Sequence, residues 1–152
     1  CSMNEASQVL RSENVMLGMF AGSKEEVLEK MINTLYRNGV LSDKKAFTED
    51  VMNRERVSST GIGSGIAIPH GKSAHVKETA AAVARLMTPI QWEEDEDEPV
   101  KFVVLLAVNE NDKGNAHVRL LSQMARKLAS EEVCRRLADA VDSEEIVKIF
   151  SE

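Results

Sequence analysis

Val100-Lys101-Phe102-Val103-Val104-Leu105-Leu106-Ala107-Val108 is the strongest strand signal in the chain. From Phe102 onward no polar residue interrupts it. A strand with one wet face alternates apolar and polar side chains, whereas an unbroken run means that both faces are covered. This stretch is therefore expected to be the central strand of a sheet with helices packed on both sides.

Working upstream, the small-apolar run from Ala80 to Met87 reads as a second buried strand, ended by Thr88-Pro89. Between the two strands stand Trp92 and the carboxylate run Glu93-Glu94-Asp95-Glu96-Asp97-Glu98. Such a run reads as a solvated loop, with a divalent-cation site as the alternative. Further upstream lies Gly61-Ile62-Gly63-Ser64-Gly65-Ile66-Ala67-Ile68-Pro69-His70-Gly71. Residues 65 to 68 read as a short buried strand, with Ile66 and Ile68 on one side and Ala67 on the other. Pro69 is expected to end pairing, because it has no amide to give, and to leave His70 at a strand end. The glycines are expected to clear side chains from around the imidazole.

Helices fill most of the remainder. Ser23 with Glu26 makes a capping box, and Val27, Leu28, Met31, Ile32, Leu35 and Tyr36 recur at helical spacing until Asn38-Gly39. A second helix is expected over residues 43 to 54, with Ala46, Phe47, Val51 and Met52 inward. After the polar loop 109 to 114, Asn115 is expected to cap a helix that carries Val118, Leu121, Met124, Ala125 and Leu128 and has His117 in its first turn. Ser130 starts another with Val133, Leu137 and Ala140 inward, and Asp142 with Glu145 caps the last, which buries Ile146, Ile149 and Phe150. The weakest signal is at the start: Val9 and Leu10 stand among polar neighbours, and residues 15 to 20 read as a short strand or the approach to one. The fold class expected is an α/β sandwich, a sheet flanked by helices on both faces, over one domain spanning residues 1–152, with residues 1–3 foreign to it.

The hydrophobic content of 43%, with 29% charged residues, is that of a soluble globular chain, and no apolar run approaches the ~20 residues of a membrane span. No secretory signal is visible at Cys1-Ser2-Met3-Asn4. Cys134, the other cysteine, reads as a packing residue in a helix, so a reducing compartment is expected and the protein is taken as cytoplasmic. A net charge of -6 argues against nucleic-acid binding and favours basic protein partners. Gly71-Lys72-Ser73 fails as a phosphate loop because that spacing demands glycine where Ile66 stands. Dinucleotide-loop and nucleophile-elbow patterns are also missing.

By itself His70 reads either as a strand cap bonded to a loop or as a reactive imidazole, neutral near its ordinary pKa of ~6.5 and competent as a nucleophile. The wider pattern separates these. Glu55, then Ile62-Gly63, then Ile66-Ala67-Ile68-Pro69-His70-Gly71 resembles the phosphorylation-site signature of the fructose/mannitol-type enzyme IIA family. These are phosphocarrier domains of the bacterial phosphoenolpyruvate-dependent sugar phosphotransferase system, a family that also includes nitrogen-regulatory enzyme IIA. The resemblance implies a mixed sheet of about five strands, within the ordinary range for a sheet. It implies that His70 is the phosphoacceptor, loaded by the histidine-containing phosphocarrier protein and discharged to a cysteine of enzyme IIB, which serves a membrane enzyme IIC. The Asn115-x-His117 step matches a second active-centre histidine, and Arg54 matches an arginine of the family that lies beside the active centre, where a guanidinium could bind phosphoryl oxygens bidentately. Taken alone, Arg54 is equally a surface partner of Glu55 or Asp50. Thr60 and Ser64 read as structural hydroxyls, and His75 has no match.

A metal centre built from His70, His75 and His117 lacks a carboxylate or cysteine at ligand spacing, so no metal or cofactor is expected. Residues 38 to 55 are similar to the fructose type and Val133-Cys134-Arg135-Arg136-Leu137 to the nitrogen type. Sugar uptake is the leading expectation, and signalling by phosphorylation state the alternative.

Overall fold

β6 (Val100–Asn109) is paired along both edges. The computed structural model describes residues 9–94, 96, 98–112 and 116–152, and within them six strands form a sheet ordered β1-β5-β6-β3-β2, with β4 also on β6. On one side β5 (Ala80–Ile90) runs antiparallel to β6, with Val83 opposite Val104, and β1 (Leu10–Met19) runs parallel to β5. On the other side β3 (Ile66–Ala67) and β4 (His70–Ser73) lie end to end, parallel to β6, opposite Phe102 and Val103 and then Leu106 to Asn109. β2 (Gly61–Gly63) closes that edge as a hairpin with β3. The sheet is mixed. Its six strands occupy five lanes, because β3 and β4 share one.

Pro69 interrupts that lane without ending it, contrary to the expectation from its missing amide. Its carbonyl still accepts from Leu106 N at 3.0 Å, so only the donor side of one position is lost and pairing resumes with His70 opposite Leu106. His70 therefore opens a strand.

The period-two alternation of the central strands divides the core. Val103, Leu105 and Ala107 of β6 and Ala82 and Ala84 of β5 face one cluster, which also holds Leu28, Met31, Ile32, Leu35, Phe47 and Val51 from α1 (Lys24–Arg37) and α2 (Lys44–Val57). Phe102, Val104, Leu106 and Val108 face the other, built with α3 (Ala116–Leu128), α4 (Glu131–Asp139) and α5 (Ser143–Ser151). Ile66 and Ile68 join the second cluster and Ala67 the first, as their spacing requires.

β1 is longer than its sequence suggested. Ser12-Glu13-Asn14 lies inside it, with register shifts on either side of Val15 to Leu17, and the polar triplet hides the strand from a hydrophobicity reading. Asn14 is nonetheless buried, its side-chain oxygen accepting from Asn38 Nδ2 at 2.7 Å. The α1 cap forms with a variation: Ser23 Oγ accepts from Glu26 N at 3.1 Å, while the Glu26 carboxylate accepts from Gly22 N at 2.8 Å. α2 starts at the Asp43 cap and continues past Arg54 to Val57. The expected Asn115 cap, Asp95 and Asp97 of the acidic run, and residues 1–8 lie outside the described residues.

Candidate functional site

β2 and β3 are joined by Ser64-Gly65, with φ of 58° and 76°. Two successive positive φ values define the primed two-residue hairpin turn that matches the twist of the flanking strands. Glycine is thus required at position 65 by the turn. Gly71 is required for another reason: a Cβ there would lie 2.9 Å from Val51 Cγ2 and 3.1 Å from Phe47 Cε1. These glycines therefore serve a turn and a close helix-strand approach, not the clearing of space around the imidazole. The consequence is still local to His70. Phe47, Val51 and Arg54 share one helical face, so seating the first two on Gly71 brings the third to the residue before it.

Arg54 Nε donates to His70 Nε2 at 3.2 Å, and His70 Nδ1 lies 3.2 Å from the Ile68 carbonyl oxygen. A carbonyl oxygen only accepts, so Nδ1 carries the proton and Nε2 presents its lone pair. Arg54 Nη1 also donates to the Ser58 carbonyl oxygen at 3.0 Å, across the end of α2. The guanidinium thus makes its contacts with the imidazole and the helix end, and not with Glu55 or Asp50, the surface pairing its neighbours in sequence suggested. The pKa of His70 is pushed below its ordinary 6.5, chiefly by burial. The Ile68 carbonyl opposes this, Arg54 and His117 reinforce it, and Glu55 pulls the other way. A neutral imidazole with an available lone pair results.

His117 stands in the first turn of α3, close enough for its charge to act on His70. Its backbone N donates to Asp112 Oδ2 at 2.9 Å and its ring Nδ1 to the same oxygen at 2.7 Å. One carboxylate thereby supplies a helix cap and a ring orienter, fixing the proton on Nδ1 and leaving Nε2 for another partner. Asp112 is held below the usual carboxylate range, first by the His117 amide and further by the His117 ring and Lys72.

Sequence reading did not single out Glu55 beyond its place in the signature, yet it is the buried carboxylate of the site, 5% exposed. Thr60 Oγ1 donates to its Oε1, and Lys24 Nζ lies 3.3 Å from its Oε2. Lys24 also pairs with Glu93 and stands 5.6 Å over the Trp92 ring. Burial opposes its charge, but the two carboxylates outweigh that and raise its pKa. The signal was available in the spacing: Phe47, Val51 and Glu55 are the buried residues of α2, one inward face with a carboxylate on it.

The other candidates lie elsewhere. His75 sits against Ser42, with its carbonyl accepting from Ser42 N at 2.8 Å. Ser64 belongs to the hairpin turn and Thr60 to Glu55. The Cys134 thiol donates to the Leu128 carbonyl oxygen at 3.1 Å, and burial pushes its pKa up. Among the described residues no three His, Cys, Asp or Glu side chains are grouped to hold a metal ion, and no helix is long and apolar enough to cross a membrane.

The structure thus brings together a histidine on a parallel strand, an arginine on its lone pair and a second histidine oriented by a carboxylate. Residues 8–152 match the family described as phosphoenolpyruvate-dependent sugar phosphotransferase system, EIIA 2, and the chain belongs to it. It is thus a phosphotransferase-system component. The chain is 39% identical over 131 residues, 86% of its length, to the PTS system 2-O-alpha-mannosyl-D-glycerate-specific EIIABC component of Escherichia coli (strain K12), of which it spans 20%. It is 36% identical over 149 residues to the nitrogen regulatory protein of Klebsiella oxytoca, covering 97% of this chain and 91% of that one. In three dimensions it resembles nitrogen regulatory protein IIA-Ntr from Neisseria meningitidis, with a TM-score of 0.86 and 32% identity over 95% of this chain and 97% of that one. The fold is also that of enzyme IIA mannitol in its complex with phosphorylated enzyme IIB mannitol from Escherichia coli, with a TM-score of 0.79 and 23% identity over 93% of this chain and 98% of that one.

Proposed function

We propose that the chain is a phosphocarrier whose His70 Nε2 accepts a phosphoryl group from the phosphohistidine of the histidine-containing phosphocarrier protein and passes it to a cysteine of an enzyme IIB. The observation that carries this reading is the His70 ring itself, with Nδ1–H on the Ile68 carbonyl and the Nε2 lone pair directed at Arg54. In the forward step that lone pair forms the new N–P bond while the donor's N–P bond breaks and its electron pair returns to the donor imidazole. Before that bond forms, Arg54 Nε leaves the Nε2 lone pair for the incoming phosphoryl oxygens, and His117, when both of its ring nitrogens carry protons, donates from Nε2 to a further one. Discharge reverses the roles, with a thiolate as nucleophile and Nε2 as leaving group.

Residues 1–152 act in this reading as one EIIA domain in the cytoplasm, serving a membrane enzyme IIC through IIB. Fructose-type sugar uptake is the physiological role proposed, supported by the similarity to sugar-specific EIIABC components. A regulatory role is favoured by one observation of its own: the nitrogen regulatory relative is matched over nearly its whole length.

A reconstituted phosphoenolpyruvate assay tests the reading. Label is expected on the chain only when enzyme I and the phosphocarrier protein are both present, and onward transfer to a fructose-type IIB is expected to discharge it. Direct labelling by ATP under the same conditions overturns the phosphocarrier reading. A labelled chain that no sugar-type IIB discharges selects the regulatory role.

A further inference from the structure

The two ring nitrogens of His70 belong to a closed circuit of contacts. Arg54 Nε reaches Nε2 at 3.2 Å, and Arg54 is followed in the chain by Glu55. The Glu55 carboxylate accepts from the Thr60 hydroxyl, and the Thr60 carbonyl accepts from Ile68 N at 2.9 Å. The Ile68 carbonyl holds His70 Nδ1–H at 3.2 Å, which closes the loop. Glu55 and Thr60 are 5% and 6% exposed, so their contact is made away from water, where a hydrogen bond to an ionised acceptor is strong and an unpaired one is costly. Lys24 Nζ lies 3.3 Å from the other carboxylate oxygen and gives it a partner there.

From this geometry we infer that Glu55 is a positioning residue for the histidine centre. Its clasp on Thr60 fastens the end of α2, which carries Arg54, to the segment whose Ile68 carbonyl fixes the His70 tautomer. The carboxylate acts through Arg54 and Ile68, and the phosphoryl group does not touch it. A buried carboxylate on the inward face of an amphipathic helix costs stability unless it is paired, and here one oxygen is held by Thr60, which leads to the site, and the other by Lys24. This inference rests on the reading of His70 as the acceptor.

The test uses the full chain and two readouts, long-range 15N–1H NMR of the His70 imidazole and the rate of phosphoryl acceptance from the loaded phosphocarrier protein. Wild type is expected to show one tautomer, protonated on Nδ1. Glu55→Ala and Thr60→Val are expected to give averaged ring shifts and acceptance roughly 10- to 100-fold slower, the scale of a small misplacement of reacting groups. Glu55→Gln keeps an oxygen for the Thr60 hydroxyl and is expected to restore the single tautomer and most of the rate. With the carboxylate gone, its His70 protonation midpoint falls, because Glu55 raises it while Arg54 and His117 lower it. Thr60→Val decides the matter if Glu55→Ala does not fold. Folded variants with wild-type tautomer and rate overturn the inference, as does Glu55→Gln behaving no better than Glu55→Ala. If wild type accepts no phosphoryl group, the phosphocarrier reading fails, and the tautomer spectra still decide whether Glu55 positions the ring.

Discussion

Two regions of this molecule invite a ligand for opposite reasons. Between the β2-β3 hairpin and α4 lies a cavity of about 280 Å³, lined by Ile66, Met87, Phe102 and Leu137 and also by Cys134 and Lys101. His70 does not line it. The histidine centre is marked by its chemistry: a directed lone pair, a guanidinium on it and a second imidazole oriented by a carboxylate. Burial acts on the nucleophile of each region in opposite senses. It holds the Cys134 thiol protonated, which removes its nucleophile, and holds His70 unprotonated, which preserves one. Concavity follows from how α4 seats on the sheet. Reactivity follows from which protonation state burial favours.

The largest expected effect separates the two regions outright. His70→Ala is expected to abolish phosphoryl acceptance while leaving the circular dichroism spectrum and cooperative melt in place, because the ring is half-buried at a strand start and carries none of the core. Acid-labile, base-stable label persisting in His70→Ala would falsify the assignment.

Next in size are the two supporting groups. Charge in the transition state spreads over the phosphoryl oxygens, and removing one fixed donor costs roughly 10²-fold elsewhere. Arg54→Ala is expected to slow acceptance by about that factor. His117→Ala is expected to accept phosphate but pass it on poorly. Single-turnover rates in both directions check this, and a swapped pattern would exchange the roles assigned to them.

A smaller effect appears in pH dependence. Since folded His70 binds its proton less readily than the ordinary imidazole with pKa 6.5, acceptance is expected to persist below pH 6.5 before it falls. The same shift makes the unfolded chain bind more protons as pH drops through that region. Its stabilising contribution is therefore full above 6.5 and lost as pH falls through the folded-state pKa. His70→Ala should flatten this part of the stability profile, as measured by denaturant titration at a series of pH values. A midpoint for His70 above 6.5 by NMR would contradict the direction.

Much of this was legible in the residues, and the gaps have physical causes. The unbroken run in β6 announced a strand covered on both faces, and the alternation of Ile66, Ala67 and Ile68 assigned each side chain to the correct half of the core. β1 was obscured because its polar Ser12-Glu13-Asn14 interior is accommodated by irregular pairing and by a bond to Asn38, neither of which leaves a local hydrophobic pattern. Pro69 misled because a missing donor was equated with lost pairing, although its carbonyl remained available to Leu106. Arg54 and His70 were expected together from the family resemblance, although Arg54 lies outside the signature. That Gly71 is what lets α2 approach closely enough to join them depends on a three-dimensional contact, which no spacing displays.

The smallest expected effect lies in the cavity. Cys134 is half-buried, bonded through its thiol to the Leu128 carbonyl and raised in pKa above the ordinary 9.0 mainly by burial. Lys101 favours the thiolate and Glu131 opposes it, but burial outweighs Lys101 and the net shift is upward. Cys134→Ala removes one sulfur and a weak hydrogen bond at a partly accessible wall, a change on the order of 1 kcal/mol or less. Phosphoryl acceptance is expected to remain at the wild-type rate. Iodoacetamide should modify Cys134 more slowly than a free cysteine at neutral pH, with its reaction rising as pH is raised and lagging that of a free cysteine throughout; peptide mapping by mass spectrometry follows this thiol separately from Cys1. Rapid alkylation at pH 7, or loss of acceptance in Cys134→Ala, would show that the hollow side of the sheet takes part in the chemistry and dissolve the contrast between the regions.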